Sequence, residues 1–186
     1  QFFEPQELNR RREQMDLLEK RADRIICISE FSRQALLRHL NFCDHRTKTI
    51  PIGLSRRLQK PHQREMSRVL SRFRLRNNFY FFYPANFWPH KNHSTLIKAY
   101  QMFLSDHPEG EFDLVFCGSL DEYSRPLRKM VDDLGLSNRV HFLGYVSDEE
   151  FAALLNGCRL MVFPSLFEGF GMPVLEAMAF GKPVLC

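Results

Sequence analysis

Short apolar runs rich in β-branched and aromatic residues alternate along this chain with longer helical patterns, and that alternation leaves few folds open. The runs are "RIICIS" (24–29), "KTIPIG" (48–53), "FYFFYPA" (79–85), "FDLVFCG" (112–118), "VHFLG" (140–144), "RLMVFPS" (159–165) and "KPVLC" (182–186). Between them lie the amphipathic segments "EFSRQALLRHL", "NHSTLIKAYQMFLSDH", "RPLRKMVDDLGL" and "SDEEFAALLNG". Nearly continuous apolar strands joined by such helices predict an α/β fold, a doubly wound parallel sheet covered on both faces. Ligands of these sheets bind beyond the carboxyl ends of the strands, so the chemistry is sought just after each run.

The stretch "LSRRLQKPHQREMSRVLSR" interrupts the alternation. It is polar, basic and contains a proline, which predicts a linker with one short helix. Residues 1–53 then end one α/β domain, 54–78 form the linker, and 79–186 belong to a second domain. A chain of 186 residues, 44% of them hydrophobic, is long enough for one globular core, or for one complete domain plus part of another. No apolar run approaches the ~20 residues that cross a bilayer. The opening "QFFEPQELNRRREQ" has neither the apolar centre nor the small-residue cleavage site of a signal peptide, so the numbering is expected to begin inside something larger.

Five cysteines, Cys27, Cys43, Cys117, Cys158 and Cys186, form no C-x-x-C pair and are odd in number. Reduced thiols packed as small hydrophobes in a cytoplasmic protein fit better than a disulfide framework. The net charge is +4, with positive clusters at "NRRREQ", "EKRADR", "LSRRLQK" and "SRFRLR". Such clusters either line a solvated helix face or meet phosphates, nucleic acid or an anionic membrane. No nucleic-acid-reading motif accompanies them. A basic RNA- or membrane-surface binder would rest on these arginines alone.

Three strand-to-helix turns carry the candidate chemistry. In "YPANFWPHKNHSTLIKAY", Lys91 stands at a helix start, where a cation is disfavoured unless an anion sits at that terminus. The alternative is a solvated lysine with Asn92 as the helix cap. His90 and His93 have no third ligand nearby, which argues against a metal pair. "FCGSLDEYSR" lacks G-x-G-x-x-G, and the whole chain lacks G-x-x-x-x-G-K-[ST], so dinucleotide and P-loop readings both fail. In "PSLFEGFGMPVLEAMAFG", Gly169 and Gly171 let backbone N–H groups face a ligand, and Pro173 suits a first helical turn. Glu168 lies in the loop and Glu176 about one turn into the helix, with Val174, Leu175 and Met178 expected on the sheet side. Two carboxylates so placed could reach two hydroxyl groups of a ligand whose phosphates lie between them. The alternatives are an exposed loop acid and an acid that merely complements the helix dipole.

The segment "EGFGMPVLEAMAFGKPVL" resembles the E-G-F-G-x-P-x-x-E-A-x-A-x-G-x-P-V motif of retaining GT-B glycosyltransferases, the large family 4 group (glycosyl transferases group 1). The resemblance extends in order to "ADRIICISEFSRQALL", "KTIPIGL", "PHKNHSTLIKAY", "LVFCGS" and "RVHFLGYVSDEEFAALLNGCRLMVFPSLFEG". It implies a carboxy-terminal, Rossmann-like half that binds a GDP- or UDP-linked sugar without a cofactor or an obligatory metal. Glu168 and Lys91 would be catalytic, Glu168 at the transferred sugar's hydroxyls and Lys91 at the diphosphate. Gly169, Phe170, Gly171 and Met172 would serve sugar and diphosphate through their backbone, and Glu176 would hold the ribose. Val140, His141 and Tyr145, in "VHFLGY", would flank the base largely through backbone. Asn86 and His90 stand where many relatives have arginine, which puts more of the phosphate stabilisation on Lys91.

The implied activity is sugar transfer, in the manner of mannosyl- and other hexosyltransferases of bacterial surface-polysaccharide synthesis, to a glycan or lipid-linked acceptor with retained configuration. The location would be cytoplasmic, including the inner face of the membrane through peripheral association, and nucleic acid is not an expected partner. The family continues beyond the "GKPVL" strand and begins with a full acceptor domain. The chain therefore reads as truncated and, alone, as inactive. The competing class is a non-catalytic nucleotide- or anion-binding module.

Overall fold

A computed structural model describes residues 5–40, 44–54 and 58–186; Cys43 and the Arg56–Arg57 pair lie outside the described residues. The chain divides into two compact units. One comprises Gln1–Gly53 with Glu168–Gly171, the other Leu54–Phe167 with Met172–Cys186.

In the first unit, α1 (Pro5–Arg21) buries none of its residues and carries "NRRREQ" and "EKR" on its surface. These arginines line a solvated helix face, with Arg11 Nε 2.8 Å from Glu7 one turn back. Next come β1 (Ile25–Cys27), α2 (Glu30–His39) and β2 (Thr47–Thr49), the two strands pairing in parallel with Ile25 opposite Thr47. β2 is shorter than the run 48–53 predicts. One further ladder bond follows it, from Ile50 N to Cys27 O at 2.9 Å.

The second unit opens with α3 (Gln63–Arg72), inside the stretch expected as a linker. Its Met66, Val69 and Leu70 are buried in this unit's core. There follow β3 (Tyr80–Pro84), α4 (His93–Asp106), β4 (Asp113–Cys117), α5 (Ser124–Asp133), β5 (Val140–Phe142), α6 (Asp148–Gly157), β6 (Leu160–Val162), α7 (Met172–Ala179) and β7 (Val184–Leu185). The five strands form one parallel sheet in the order β5-β4-β3-β6-β7.

Strand alternation explains the double layer. On β3, Tyr80 and Phe82 turn to α6: the Tyr80 hydroxyl donates to Leu154 O at 2.6 Å, and the Phe82 ring meets Phe151 edge-on. Phe81 and Tyr83 turn the other way, to Phe103 and His93 of α4. Both faces are therefore covered, and a strand apolar at every position is what that burial requires. The α6 start follows from "SDEE". Ser147 Oγ accepts Glu150 N–H at 3.2 Å, while Glu150 Oε2 accepts Ser147 N–H at 3.0 Å. Cys117 and Cys158 are buried thiols whose pKa burial pushes up to about 12, so they pack as small hydrophobes.

Candidate functional site

The strand order reverses next to β3. The chain adds β4 and then β5 on one side, then returns to place β6 on the other. The crevice of such a sheet opens where the first and returning strands part, at the carboxyl ends of β3 and β6. Hydrogen bonds tie the two following loops together. Leu166 N–H donates to His90 O at 2.8 Å, and the Asn92 amide donates to Pro164 O at 3.2 Å.

Lys91 ends the single 3-10 turn Pro89–Lys91, immediately before Asn92 and α4, and is half-buried. The Tyr83 hydroxyl holds its carbonyl at 2.9 Å. Asn92 adopts a left-handed conformation at φ 59°, which asparagine tolerates better than most residues. Its side chain is spent on Pro164 rather than on α4, so the helix start receives no side-chain cap from it. Asn92 therefore does not cap α4 with its side chain, and Lys91 stands half-buried beside that start. An uncapped helix start with a cation beside it is an environment that suits an anion.

Asn86 and Tyr145 share a cleft of about 220 Å³ at the carboxyl ends of β3, β4 and β5, lined also by Ala85, Gly118, Asp148 and Phe151. The Asn86 side-chain oxygen accepts Ser119 N–H at 3.0 Å, and Tyr145 is 89% exposed. Gly118 is needed here because a Cβ would lie 2.5 Å from Ala85 O. Val140 is buried in β5, away from this cleft's lining. The His141 side chain lies 3.1 Å from Asp113, the first residue of β4, where Arg139 Nε also donates to Asp113 at 3.0 Å. These contacts brace the amino-terminal end of the strand pair.

Glu176, on α7, is 3% exposed. The helix phase differs from expectation: Ala177 and Phe180 are buried with Val174 against the core, whereas Met178 is 65% exposed. The 3.6-residue repeat brings Glu176 onto the buried side next to Ala177. Gly171, at φ 83°, takes the left-handed turn just before α7, a conformation that favours glycine. Glu168 is half-buried. Its loop, Glu168–Gly171, belongs to the first unit, where the Ser29 and Ser32 hydroxyls meet the Gly169 carbonyl at 2.6 and 3.2 Å. Neither serine was singled out in the sequence, although both lie within "ISEFS".

His93, the first residue of α4, is 2% exposed and ringed by Tyr83, Phe87 and Phe116. Burial first, and the charge of Lys91 second, push its pKa down to about 3, while the Ala85 carbonyl pulls weakly the other way. Neither ring nitrogen meets a partner in hydrogen-bond geometry. The unfolded chain binds a proton below about pH 6.5, while the folded chain does not until about 3. Stability is therefore full above pH 6.5 and falls by about 1.4 kcal/mol per pH unit between those values. A His93→Phe variant should lose this share of the slope, measurable as melting temperature against pH. An unchanged acid slope would mean that His93 titrates normally. Among the described residues, no three His, Cys, Asp or Glu side chains gather as a metal-binding group, and no helix is long and apolar enough to cross a membrane.

Comparison with known proteins bears on the family and the fold. The family model described as "Glycosyl transferases group 1" matches residues 71–186. O-antigen chain mannosyltransferase B of Escherichia coli is 32% identical over 162 residues, which is 87% of this chain and 42% of that protein. O-antigen chain mannosyltransferase RfbU of Salmonella typhimurium is 38% identical over 106 residues, 57% of this chain and 29% of that protein. Among solved structures, Anabaena HepE in complex with UDP and glucose superposes with a TM-score of 0.80 at 28% identity, covering 93% of this chain and 46% of that one. The chain thus spans less than half the length of each of these proteins, and its α/β fold is of the GT-B type. The chain belongs to the glycosyl transferases group 1 family.

Proposed function

We propose that the protein containing this chain transfers a hexose, mannose foremost, from a GDP- or UDP-linked donor to a glycan or lipid-linked acceptor, with retention at the anomeric carbon. The observation that carries the reading is Glu176, a carboxylate 3% exposed on α7, just beyond the glycine-rich loop. A carboxylate at that place, about one turn into the helix, can accept hydrogen bonds from two ribose hydroxyls. The diphosphate takes the α4 start and Lys91. Charge grows on that leaving group in the transition state, and a pre-placed ammonium stabilises it there without a metal. Glu168 orients the sugar's hydroxyls, and backbone groups of Gly169, Phe170, Gly171 and Met172 serve the sugar and diphosphate. The base is flanked by Tyr145 and by the backbone of Val140 and His141, and Asn86 faces the phosphates beside Lys91.

The O-antigen chain mannosyltransferases among the relatives support a role in surface-polysaccharide synthesis, which we place at the cytoplasmic face of a membrane. Residues 1–53 form the end of an acceptor domain, and the donor half follows the segment 54–78. The 186 residues alone bind donor without transferring it. Thermal melting with UDP, GDP and ADP tests the reading. One nucleotide should stabilise the chain, by about 2.7 kcal/mol at ~100 times its Kd. No shift with any of the three would contradict donor binding.

A further inference from the structure

Two hydroxyls from α2 and its cap converge on one carbonyl of the glycine-rich loop, 137 and 140 positions away in sequence. Ser29 Oγ donates to Gly169 O at 2.6 Å and accepts Ser32 N–H at 3.0 Å, so one side chain both caps α2 and holds the loop. Ser32 Oγ lies 3.2 Å from the same carbonyl and 3.0 Å from Ser29 Oγ. With one proton each, Ser29 gives its own to the nearer carbonyl, and Ser32's is shared between Gly169 O and Ser29 Oγ.

We infer that Ser29 and Ser32 are positioning residues that set the direction of the Gly169–Phe170 peptide for donor binding. A trans peptide is planar, and its C=O and the following N–H point opposite ways. Pinning the Gly169 carbonyl onto α2 therefore turns the Phe170 N–H away from α2. A donor fixed before the ligand arrives loses less freedom on binding than one that must be ordered by it. The four-residue loop, with Gly171 at φ 83°, has no regular structure of its own to fix that direction. This inference rests on the proposed assignment of the loop to the nucleotide-sugar donor.

The test separates holding the loop from capping the helix. Aspartate caps a helix as well as serine does but cannot donate a hydrogen bond to a carbonyl. A Ser29→Asp/Ser32→Ala double variant therefore keeps the cap and loses the clamp, whereas Ser29→Thr keeps both. Amide hydrogen exchange of residues 168–172 is measured without nucleotide, and the affinity for UDP and GDP by calorimetry. The double variant should exchange about tenfold faster in the loop, with α2 protection retained, and should bind nucleotide about tenfold more weakly, the weight of one or two neutral hydrogen bonds. Ser29→Thr should stay within about twofold of the parent in both measurements. Unchanged loop exchange in the double variant overturns the clamp. Faster exchange with unaltered nucleotide affinity overturns the positioning role. A parent protein that binds neither nucleotide overturns the proposed function instead, and with it the premise of the clamp's purpose.

Discussion

Replacing Glu176 with glutamine is expected to weaken nucleoside diphosphate binding roughly 10- to 150-fold, while leaving a 2′,3′-dideoxy analogue bound about equally by both forms. Glutamine keeps the shape of the side chain but removes the charge-assisted acceptor, for which about 1.5–3 kcal/mol is typical. The position, 3% exposed on α7, makes the change one of local chemistry rather than of surface charge. Calorimetry with the natural and dideoxy nucleotides checks it, with the melting temperature of the unliganded variant taken alongside. If glutamine weakens the dideoxy analogue just as much, Glu176 does not read the ribose.

Lys91→Ala should act mainly on turnover. The lysine closes the 3-10 turn before an α4 start that Asn92 leaves uncapped, so its charge is placed for an anion whose charge grows as the bond breaks. In the protein containing this chain, kcat should fall about 10²–10³-fold, as for the loss of one pre-placed oxyanion donor, and donor affinity should fall less. Asn86→Arg should partly restore the alanine variant if both positions face the same phosphates. That exchange sacrifices the hydrogen bond from Ser119 N–H to the Asn86 side chain. It should therefore cost about 0.5–1.5 kcal/mol of stability by itself. Unaltered kcat and donor KM in Lys91→Ala would leave the lysine a surface residue.

The strands were legible because a parallel sheet covered on both faces demands runs such as "FYFFYPA", apolar at every position. Boundaries and phases were less so. "KTIPIG" reads as a strand by its β-branched residues, yet β2 ends at Thr49 and one further bond follows, from Ile50. Met178 is as apolar as its neighbours, and only packing of Ala177 and Phe180 shows which side of α7 is buried. The polar, basic stretch after Gly53 holds the one short helix expected of it, but three apolar residues among arginines do not reveal that its Met66, Val69 and Leu70 pack into the second unit's core. His141 is apolar-flanked in sequence, and its pairing with Asp113 depends on strand register. The serine contacts to Gly169 join residues about 140 apart, a distance that no local pattern encodes.

The most direct measurement is transfer by the full-length protein, with GDP- and UDP-linked hexoses as donors and the product's anomeric carbon read by NMR. The account predicts acceptor-dependent release of one nucleoside diphosphate and a product linkage with the donor sugar's own anomeric configuration. It also predicts that Lys91→Ala loses turnover and that Glu176→Gln loses affinity. An inverted linkage would contradict retention, and nucleotide binding without acceptor-dependent release of the diphosphate would contradict transfer itself.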